Sequence, residues 1–250
     1  MSAIARLVGS LRRQVRRHVG IEVVSSRNTN TLSHLLEEVL RRYRIDVVLD
    51  VGANEGQFAF GLRDMGYTGQ IHSFEPIGAT FARLERHAAG DRSWHCHRMA
   101  LGSSEGSLSM NISEHSVLNS ALPASAFGSR LFEDFKVVGQ ETVPLGTIDS
   151  FMAATFGTAP VRVLLKTDTQ GFDIEVFEGA RASMGRIHCL LSELSMIPLY
   201  EDMPRYPEVL ARFEREGFSV SGFFPVNHTA DLQVVEVDCL MVKPEGRPAA

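Results

Sequence analysis

The chain has 250 residues, of which 44% are hydrophobic, so it can bury one full core with or without a short arm. Its formal net charge of −5 gives no general case for nucleic-acid binding, and we expect no nucleic-acid partner. No apolar run is long enough to span a bilayer, and no secretory signal is apparent. The three cysteines form no C-x-x-C pair, which disfavours a disulfide framework and a structural zinc site. We therefore expect a cytoplasmic protein.

The first 20 residues differ from the rest of the chain. Apolar residues recur there at helical spacing, and five arginines precede the first acid, Glu22. This pattern predicts a basic amphipathic helix that could contact an anionic surface, such as the inner face of a membrane. The alternative is an arm that packs on its own domain or on the second subunit of a homodimer. A polar linker follows, so we divide the chain into an arm over residues 1–30 and a domain over residues 31–250.

Helix and strand patterns alternate after this arm. Strands of the main sheet are predicted over residues 47–51, 70–74, 94–100, 161–168, 187–194, 218–224 and 234–242. A further strand over residues 107–112 is predicted to pair locally. Helices are predicted over residues 31–43, 57–65, 79–88, 148–156, 173–179 and 206–216. Alternation of this kind predicts an α/β fold with a doubly wound, mostly parallel, seven-stranded sheet. The last two strands have no helix between them and would pair antiparallel, while residues 113–135 form an insert over the active-site edge.

A nucleotide-like ligand is predicted by residues 46–56, which read Asp-Val-Val-Leu-Asp-Val-Gly-Ala-Asn-Glu-Gly. The apolar run is typical of a central parallel strand. Gly52 and Gly56 allow a sharp turn and a close approach to a ligand. The helix that follows would direct its first amides at that ligand.

The charges around this turn favour a cationic ligand over a dinucleotide. The spacing differs from the G-x-G-x-x-G pattern of pyrophosphate sites, and Asp50 and Glu55 would repel a pyrophosphate. They suit an ammonium or a sulfonium, and S-adenosylmethionine carries both. Glu75, at the end of the second strand, is placed to accept hydrogen bonds from ribose hydroxyls. Residues at the ends of the second and third strands would flank the adenine: Pro76, Met99 and Ala100.

Carboxylates at the ends of parallel strands should converge on one cleft, since those ends meet at one edge of the sheet. Asp168 ends an apolar strand and could face both the cofactor and a substrate hydroxyl. Glu193 lies in an otherwise apolar strand and is costly to bury without a partner. That partner could be a substrate hydroxyl, a metal ion or Lys166.

If the ligand is S-adenosylmethionine, the reaction expected is methyl transfer, and transfer to an alcohol requires removal of the hydroxyl proton. The candidate general bases are Asp168, His228 and His115, the two histidines being placed in loops on the same edge. The alternative is a divalent ion such as Mg²⁺, held by Asp168 and Glu193, which would lower the pKa of the hydroxyl. The other histidines of the sheet are predicted to be structural or on the wrong edge: His72, His95, His97 and His188.

Five segments together resemble the FkbM family of S-adenosylmethionine-dependent methyltransferases, over about residues 47–242. They are Asp50-Val-Gly-Ala-Asn-Glu-Gly-Gln57, Phe74-Glu-Pro76, Ala100-Leu-Gly-x-x-x-Gly106, Asn119-Ser120 and Leu165-Lys-Thr-Asp-Thr-Gln-Gly-Phe-Asp-Ile-Glu-Val176. The resemblance implies a Rossmann-like class I methyltransferase fold. It also implies cofactor contacts by residues of the first segment: Asp50, Gly52, Ala53, Asn54 and Gly56. The family commonly has Ile where this chain has Thr167.

The resemblance further implies O-methylation of sugars, polyketides or glycolipids. We therefore expect the acceptor to be a sugar hydroxyl on a glycolipid or a secondary metabolite, and the basic arm mildly favours a lipid. Two alternatives remain at this point. One is a nicotinamide-dependent oxidoreductase on a similar sheet, and the other is a non-catalytic module that binds the cofactor.

Overall fold

A computed structural model describes residues 31–132 and 135–244 of the chain. The predicted arm over residues 1–30 lies outside these residues, and so do its membrane and dimer contacts. Within the described part, none of the helices has the length and apolar character needed to cross a membrane.

One seven-stranded sheet organises the structure. Its strands are β1 (Val47–Val51), β2 (Gln70–Phe74), β3 (Trp94–His97), β7 (Val163–Thr167), β8 (Ile187–Ser195), β9 (Ser219–His228) and β10 (Val234–Val242). Their order in the sheet is β3-β2-β1-β7-β8-β10-β9. The first five in chain order pair in parallel, whereas β10 lies antiparallel between β8 and β9. The predicted doubly wound, mostly parallel, seven-stranded α/β fold is therefore confirmed.

Seven helices lie among the described residues. They are α1 (Leu32–Arg42), α2 (Gln57–Asp64), α3 (Gly78–Ala88), α4 (Gly128–Leu131), α5 (Ile148–Phe156), α6 (Asp173–Glu178) and α7 (Tyr206–Arg215). The helix α7 ends before Gly217, whose φ of 86° lets the chain turn back into β9. Six of these helices match the predicted ones to within two residues at each end, and α4 lies in the segment predicted as an insert.

A second, three-stranded sheet was predicted only in part, through the local strand over residues 107–112. It has the order β4-β6-β5 and consists of β4 (Ala100–Leu101), β5 (Gly106–Ser113) and β6 (Val137–Gly146). The single strand predicted over residues 94–100 is wrong, because β3 ends at His97 and Ala100 pairs with Leu145 of this second sheet. The chain thus leaves the main sheet at the edge where the ligand site was expected.

The core lies on both faces of the main sheet, since successive strand residues point to opposite sides. On one side Leu49, Leu165 and Leu190 pack with α5, α6 and α7. On the other side Val48, Leu164 and Cys189 pack with α1, α2 and α3. All five residues of β1 and of β7 are buried, which explains why these strands read as nearly continuous apolar runs. Asp50 and Lys166 are the charged exceptions, and both help to form the site.

A stack of histidine and phenylalanine rings covers the sheet between β2 and β3. His72 is 4% exposed, and its Nδ1 lies 3.0 Å from His97 Nε2. The His97 ring stacks on Phe74 at 4.7 Å between centroids, and Phe151 of α5 meets it edge-on. Burial lowers the pKa of His72 to about 3 and that of His97 to about 4. These placements agree with the structural role expected for both residues.

The lowered pKa values predict how stability responds to acid. The unfolded histidines, with a pKa near 6.5, bind protons before the folded ones do, so the free energy of unfolding falls as the pH drops from about 6.5 towards 4. Each histidine can contribute a slope of up to about 1.4 kcal/mol per pH unit. Buried carboxyls with raised pKa values act in the opposite direction, so a variant must isolate the histidine contribution.

We expect His97→Gln to lose part of this acid sensitivity, measured by urea unfolding between pH 6.5 and 4.5. His87→Gln is the control, because His87 is exposed on α3 and outside the ring stack. If His97→Gln follows the same pH slope as the wild-type protein, the stack is not what makes the fold sensitive to acid.

Candidate active site

A cleft of about 520 Å³ opens at the carboxyl ends of the parallel strands. It lies beside β1 and β7, where the strand order reverses, which is where ligands bind in open α/β sheets. Its lining divides by chemistry. One part is mainly apolar, with Ile77, Met99, Ala100, Leu101, Leu108 and Met110. The other part is polar and acidic, with Lys166, Asp168, Gln170, Glu193, Asn227, Glu236 and Asp238.

The glycine turn after β1 packs closely against the backbone that follows β7. Gly52 has a φ of 75°, and a Cβ added to it would lie 1.9 Å from the carbonyl oxygen of Asp168. Gly52 also lines the cleft, but the close approach that requires glycine here is to β7 rather than to a ligand.

Gly56 has a φ of 95° and faces the Trp94 ring, and it is not among the lining residues. Gly56 therefore packs against β3 and α3, and it does not make the predicted approach to a ligand. Asp50 also lies below the cleft rather than in its lining, with no exposed surface.

Asp50 and Lys166 form a buried ion pair beneath the cleft. The Lys166 Nζ lies 3.1 Å from Asp50 Oδ1 and 3.5 Å from Asp168 Oδ2, and it donates a hydrogen bond to the Gly52 carbonyl at 3.0 Å. The Asp50 contact is a charge contact without ideal hydrogen-bond geometry, and Asp50 Oδ2 accepts from the Ser73 hydroxyl. Burial lowers the pKa of Lys166, but the carboxylates of Asp50 and Asp168 more than offset this, so the net shift is upward. Lys166 therefore stays charged and ties the β1 turn to the end of β7.

Asp168 and Glu193 share one hydrogen-bond donor, the side-chain amide of Gln170. The Gln170 Nε2 donates to Asp168 Oδ1 at 2.9 Å and to Glu193 Oε2 at 2.9 Å. Lys166, considered above as a partner of Glu193, is instead paired with Asp50 and Asp168. Burial raises the pKa of Glu193 well above its usual range, and the nearby Asp168 carboxylate raises it further.

More carboxyl groups continue this acidic surface across β8 and β10. Asp238 pairs in register with Glu193, and Glu236, two residues before Asp238 in β10, lies on the same face of the sheet. The Asn227 Nδ2 donates to Glu236 Oε2 at 2.8 Å. Burial raises the pKa of Glu236 to about 7 and that of Asp238 to about 6, with a further contribution from the Asp168 charge. These groups can therefore both donate and accept hydrogen bonds near neutral pH.

Glu75 lies where β2 ends and is 6% exposed. Its Oε2 accepts from the backbone N–H of Asn54 at 3.1 Å, and its Oε1 accepts from that of Ile77 at 2.9 Å. Burial raises the pKa of Glu75 to about 7, although these two hydrogen bonds act against the rise. Each oxygen keeps a lone pair for a ligand hydroxyl.

The predicted insert covers the cleft from above. Its 3₁₀ helix, Ser116–Leu118, contributes lining residues, as does Asn119. The Ser116 hydroxyl donates to Asn54 Oδ1 at 3.2 Å, which joins the insert to the glycine turn. Asn54 itself has a φ of 47°. The predicted lining residues Ala53, Pro76, Met99 and Ala100 all line the cleft.

The structure does not bring the candidate histidines into the cleft. His228 was predicted in a loop, but β9 continues to this residue because it pairs with Val234 of β10. Strand alternation turns Asn227 towards Glu236 and leaves His228 exposed. His115 is also exposed and is not among the lining residues.

Several site residues were missed in the sequence. Glu236 and Asp238 interrupt the apolar run Val-Val-Glu-Val-Asp-Cys-Leu-Met-Val of β10, and carboxyls in a buried strand were a usable signal. Gln170 and Asn227 carried no such signal, because amides are ordinary residues in turns and strand ends. Thr167, the departure from the usual Ile, donates to the Ser192 hydroxyl and does not line the cleft.

The arrangement of metal-binding side chains does not support the predicted divalent-ion site. Over residues 31–132 and 135–244, no group of three or more His, Cys, Asp or Glu side chains is arranged to hold a metal.

Comparisons with known proteins give a family and several distant structures. The model of the family described as "Methyltransferase FkbM domain" matches residues 50–220. No curated protein matches the chain.

Among solved structures, an uncharacterized protein from Listeria monocytogenes has 8% identity and a TM-score of 0.47, over 88% of this chain and 71% of its own. An rRNA methylase from Streptococcus thermophilus has 10% identity and a TM-score of 0.43, over 85% and 96%. TehB from Haemophilus influenzae has 7% identity and a TM-score of 0.42, over 92% and 65%. At these TM-scores the likeness is limited, and the family match alone bears on function.

The Gly52 contact gives a test of how the site is built. An L-residue at such a positive φ costs about 1–2 kcal/mol, and a side chain at Gly52 would also displace the end of β7. We expect Gly52→Ala to lower the free energy of unfolding by about 1–3 kcal/mol more than Gly66→Ala does. Gly66 is the matched control, because its φ of 81° is similar but nothing lies within 4 Å of an added Cβ. Equal losses in urea unfolding would show that the turn does not depend on the contact with Asp168.

Proposed function

The chain belongs to the FkbM methyltransferase family, and on this premise we propose that it transfers the methyl group of S-adenosylmethionine to a hydroxyl of a sugar. The acceptor would be a glycolipid or a secondary metabolite. The observation that carries the proposal is the pair of carboxyls, Asp168 and Glu193, held on one amide at the acidic end of the cleft.

The residues of the cleft fit this cofactor. Glu75 is available for the ribose hydroxyls, and the apolar part beside Pro76, Met99 and Ala100 is suited to adenine. Lys166 is the lone basic side chain among the described lining residues, and its charge is already engaged by Asp50 and Asp168. The donor set therefore suits a cation without phosphate. When bound, the cofactor supplies a methyl group that its sulfonium activates for displacement.

The side chains of the protein would orient the acceptor and remove its proton. Asp168 is partly exposed in the cleft, and its carboxylate can take the hydroxyl proton as the oxygen gains the methyl group. The proton then passes from Asp168 to solvent. A positioned base contributes about 10²–10⁴ in rate, and alignment of the reacting oxygen can supply about 7–11 kcal/mol.

The acidic part of the cleft supports a hydroxyl-rich acceptor. Glu193, Glu236 and Asp238 have raised pKa values, so they offer both donors and acceptors to a polyol near neutral pH. Asn227 adds an amide whose Oδ1 has no hydrogen-bond partner although it is buried. Apolar side chains, Leu32, Phe58, Phe132 and Val226, line the same cleft and could contact an apolar portion of a lipid acceptor.

Membership of a methyltransferase family argues against the nicotinamide-dependent oxidoreductase considered above. The non-catalytic module remains an outcome of the assay. The cytoplasmic location, the peripheral contact of residues 1–20 with the inner membrane face and the homodimer remain predictions from the sequence.

The first test is methyl transfer itself. The protein would be incubated with S-adenosylmethionine carrying a labelled methyl group and an extract of lipids and sugar metabolites from a strain that lacks it. We expect label in a base-stable methyl ether, identified by mass spectrometry. Cofactor binding without transfer to any hydroxylated acceptor would favour the non-catalytic module.

Asp168→Asn should reduce transfer by about 10²-fold or more, since the amide cannot take up the proton. The affinity for S-adenosylmethionine, measured by calorimetry, should change little by comparison. Asp202→Asn is the control, because Asp202 is an exposed aspartate outside the cleft lining. Transfer near the wild-type rate in Asp168→Asn would remove this residue from the mechanism.

Glu75→Gln should weaken cofactor binding by roughly tenfold to a hundredfold, as expected for a charge-assisted hydrogen bond worth about 1.5–3 kcal/mol. Since the pKa of Glu75 is about 7, the carboxylate forms as the pH rises through 7. The wild-type affinity should therefore increase between pH 6 and 8, and Glu75→Gln should lose part of that increase.

Glu141→Gln is the matched control for this variant. Glu141 also accepts a backbone N–H, from Gly78, but it does not line the cleft. If Glu75→Gln binds the cofactor as tightly as Glu141→Gln does at every pH, the ribose assignment is wrong.

A further inference from the structure

Gln170 has an unusual backbone conformation for its residue type. Its φ is 54°, in the left-handed region that residues other than glycine rarely adopt. Five such residues occur in the described part of the chain, and Asn54 and Gln170 are the two of them that line the cleft. Strained backbone of this kind persists where the surroundings fix it, and it is common at functional sites.

The side-chain amide of Gln170 is fully used by three neighbours. Its Nε2 donates to Asp168 and to Glu193, each at 2.9 Å, and its Oε1 accepts from the Tyr200 hydroxyl at 2.8 Å. Two carboxyl oxygens on one side and a hydroxyl donor on the other fix the orientation of the amide. A carboxylate at this position would have no N–H to donate to either carboxyl.

The same residue is attached to the segment that covers the cleft. The Ser120 hydroxyl donates to the Gln170 carbonyl at 2.7 Å, and Ser120 is 1% exposed. The Tyr200 hydroxyl also lies 3.4 Å from the Leu118 carbonyl. Leu118 and its neighbours line the cleft, so Gln170 connects the cover to the carboxyls below it.

We propose that Gln170 is a positioning residue that holds Asp168 and Glu193 at a fixed separation and fastens residues 116–122 over them. Its side-chain amide links the end of β7 to the end of β8, and its backbone carbonyl, together with Tyr200, connects them to the cover of the cleft. The kinetic consequence rests on the proposed function, because it assumes that Asp168 takes the proton of the acceptor. The fastening of the cover does not depend on it.

Four variants separate the contacts. Gln170→Met has a similar length and removes all three hydrogen bonds of the side-chain amide, but it keeps the backbone carbonyl that the Ser120 hydroxyl contacts. Ser120→Ala removes that hydroxyl. Gln170→Asn keeps an amide that is too short to reach both carboxyls, and Asn tolerates the left-handed backbone. Tyr200→Phe removes the hydroxyl and leaves both carboxyl contacts in place. Gln233→Met is the control, since Gln233 is exposed and lies outside the cleft lining.

Hydrogen–deuterium exchange of the full chain tests the cover without any acceptor. In Ser120→Ala, which removes the hydroxyl bonded to the Gln170 carbonyl, we expect the amides of residues 116–122 to exchange about fivefold faster than in the wild-type protein, because a hydrogen bond is worth about 1 kcal/mol. Tyr200→Phe should also speed exchange there, because it removes the hydroxyl beside the Leu118 carbonyl. Gln170→Met should give a smaller increase, and Gln233→Met none. Wild-type exchange at residues 116–122 in both Ser120→Ala and Tyr200→Phe would overturn the fastening, and so would an increase that is no larger there than in the rest of the fold.

Steady-state methyl transfer tests the carboxyls, with S-adenosylmethionine varied against a fixed amount of the lipid and sugar-metabolite extract. We expect kcat to fall at least about tenfold in Gln170→Met, with the KM for S-adenosylmethionine within about threefold of wild type. Gln170→Asn should recover part of kcat, as a purely structural loss would not. An unchanged kcat, or a loss confined to KM, would overturn the positioning role.

The two arms distinguish this inference from the proposed function. If the wild-type protein transfers methyl groups to nothing in the extract, the proposed function fails, and the exchange measurement still decides whether Gln170 fastens the cover. If wild-type transfer is robust, Gln170→Met leaves kcat unchanged, and Ser120→Ala and Tyr200→Phe leave exchange unchanged, this inference alone fails.

Discussion

The buried charge of Lys166 is the constraint on which the cleft depends. A lysine side chain that is 10% exposed must be paired, and it is held by Asp50 below and Asp168 above while it donates to the Gly52 carbonyl. Removing one partner of a buried ion pair commonly costs about 3–5 kcal/mol, since the other charge is left unpaired. The pair therefore fixes the β1 turn against the end of β7, and these two segments form the floor of the cleft.

The remaining features of the site follow from this arrangement. Among the described residues, Lys166 is the one basic side chain of the lining and is already paired with Asp168 and Asp50, so the other lining carboxyls have no cationic partner there. Burial and mutual repulsion then raise the pKa values of Glu193, Glu236 and Asp238. A cleft of this composition attracts cations and polyols and disfavours phosphates, which is consistent with the chemistry of the family to which the chain belongs.

Sequence reasoning recovered the parts of this structure that local pattern controls. The apolar runs and turn residues located the seven strands, and the strand-end rule placed Asp168, Glu75 and Glu193 around one cleft. It failed where pairing between distant segments decides the outcome. The second sheet takes Ala100 away from β3, β9 extends to His228 because β10 pairs with it, and Gly56 packs against Trp94. Gln170 could not be found, since its contacts exist only once β7, β8 and the insert have come together.

The central claim is that this cleft selects a cationic nucleoside without phosphate. It is tested most directly by calorimetric titration of the same protein with S-adenosylmethionine and with NAD, at one pH and one salt concentration. The account predicts saturable binding of S-adenosylmethionine and no measurable binding of NAD. Saturable binding of NAD together with no response to S-adenosylmethionine would contradict it.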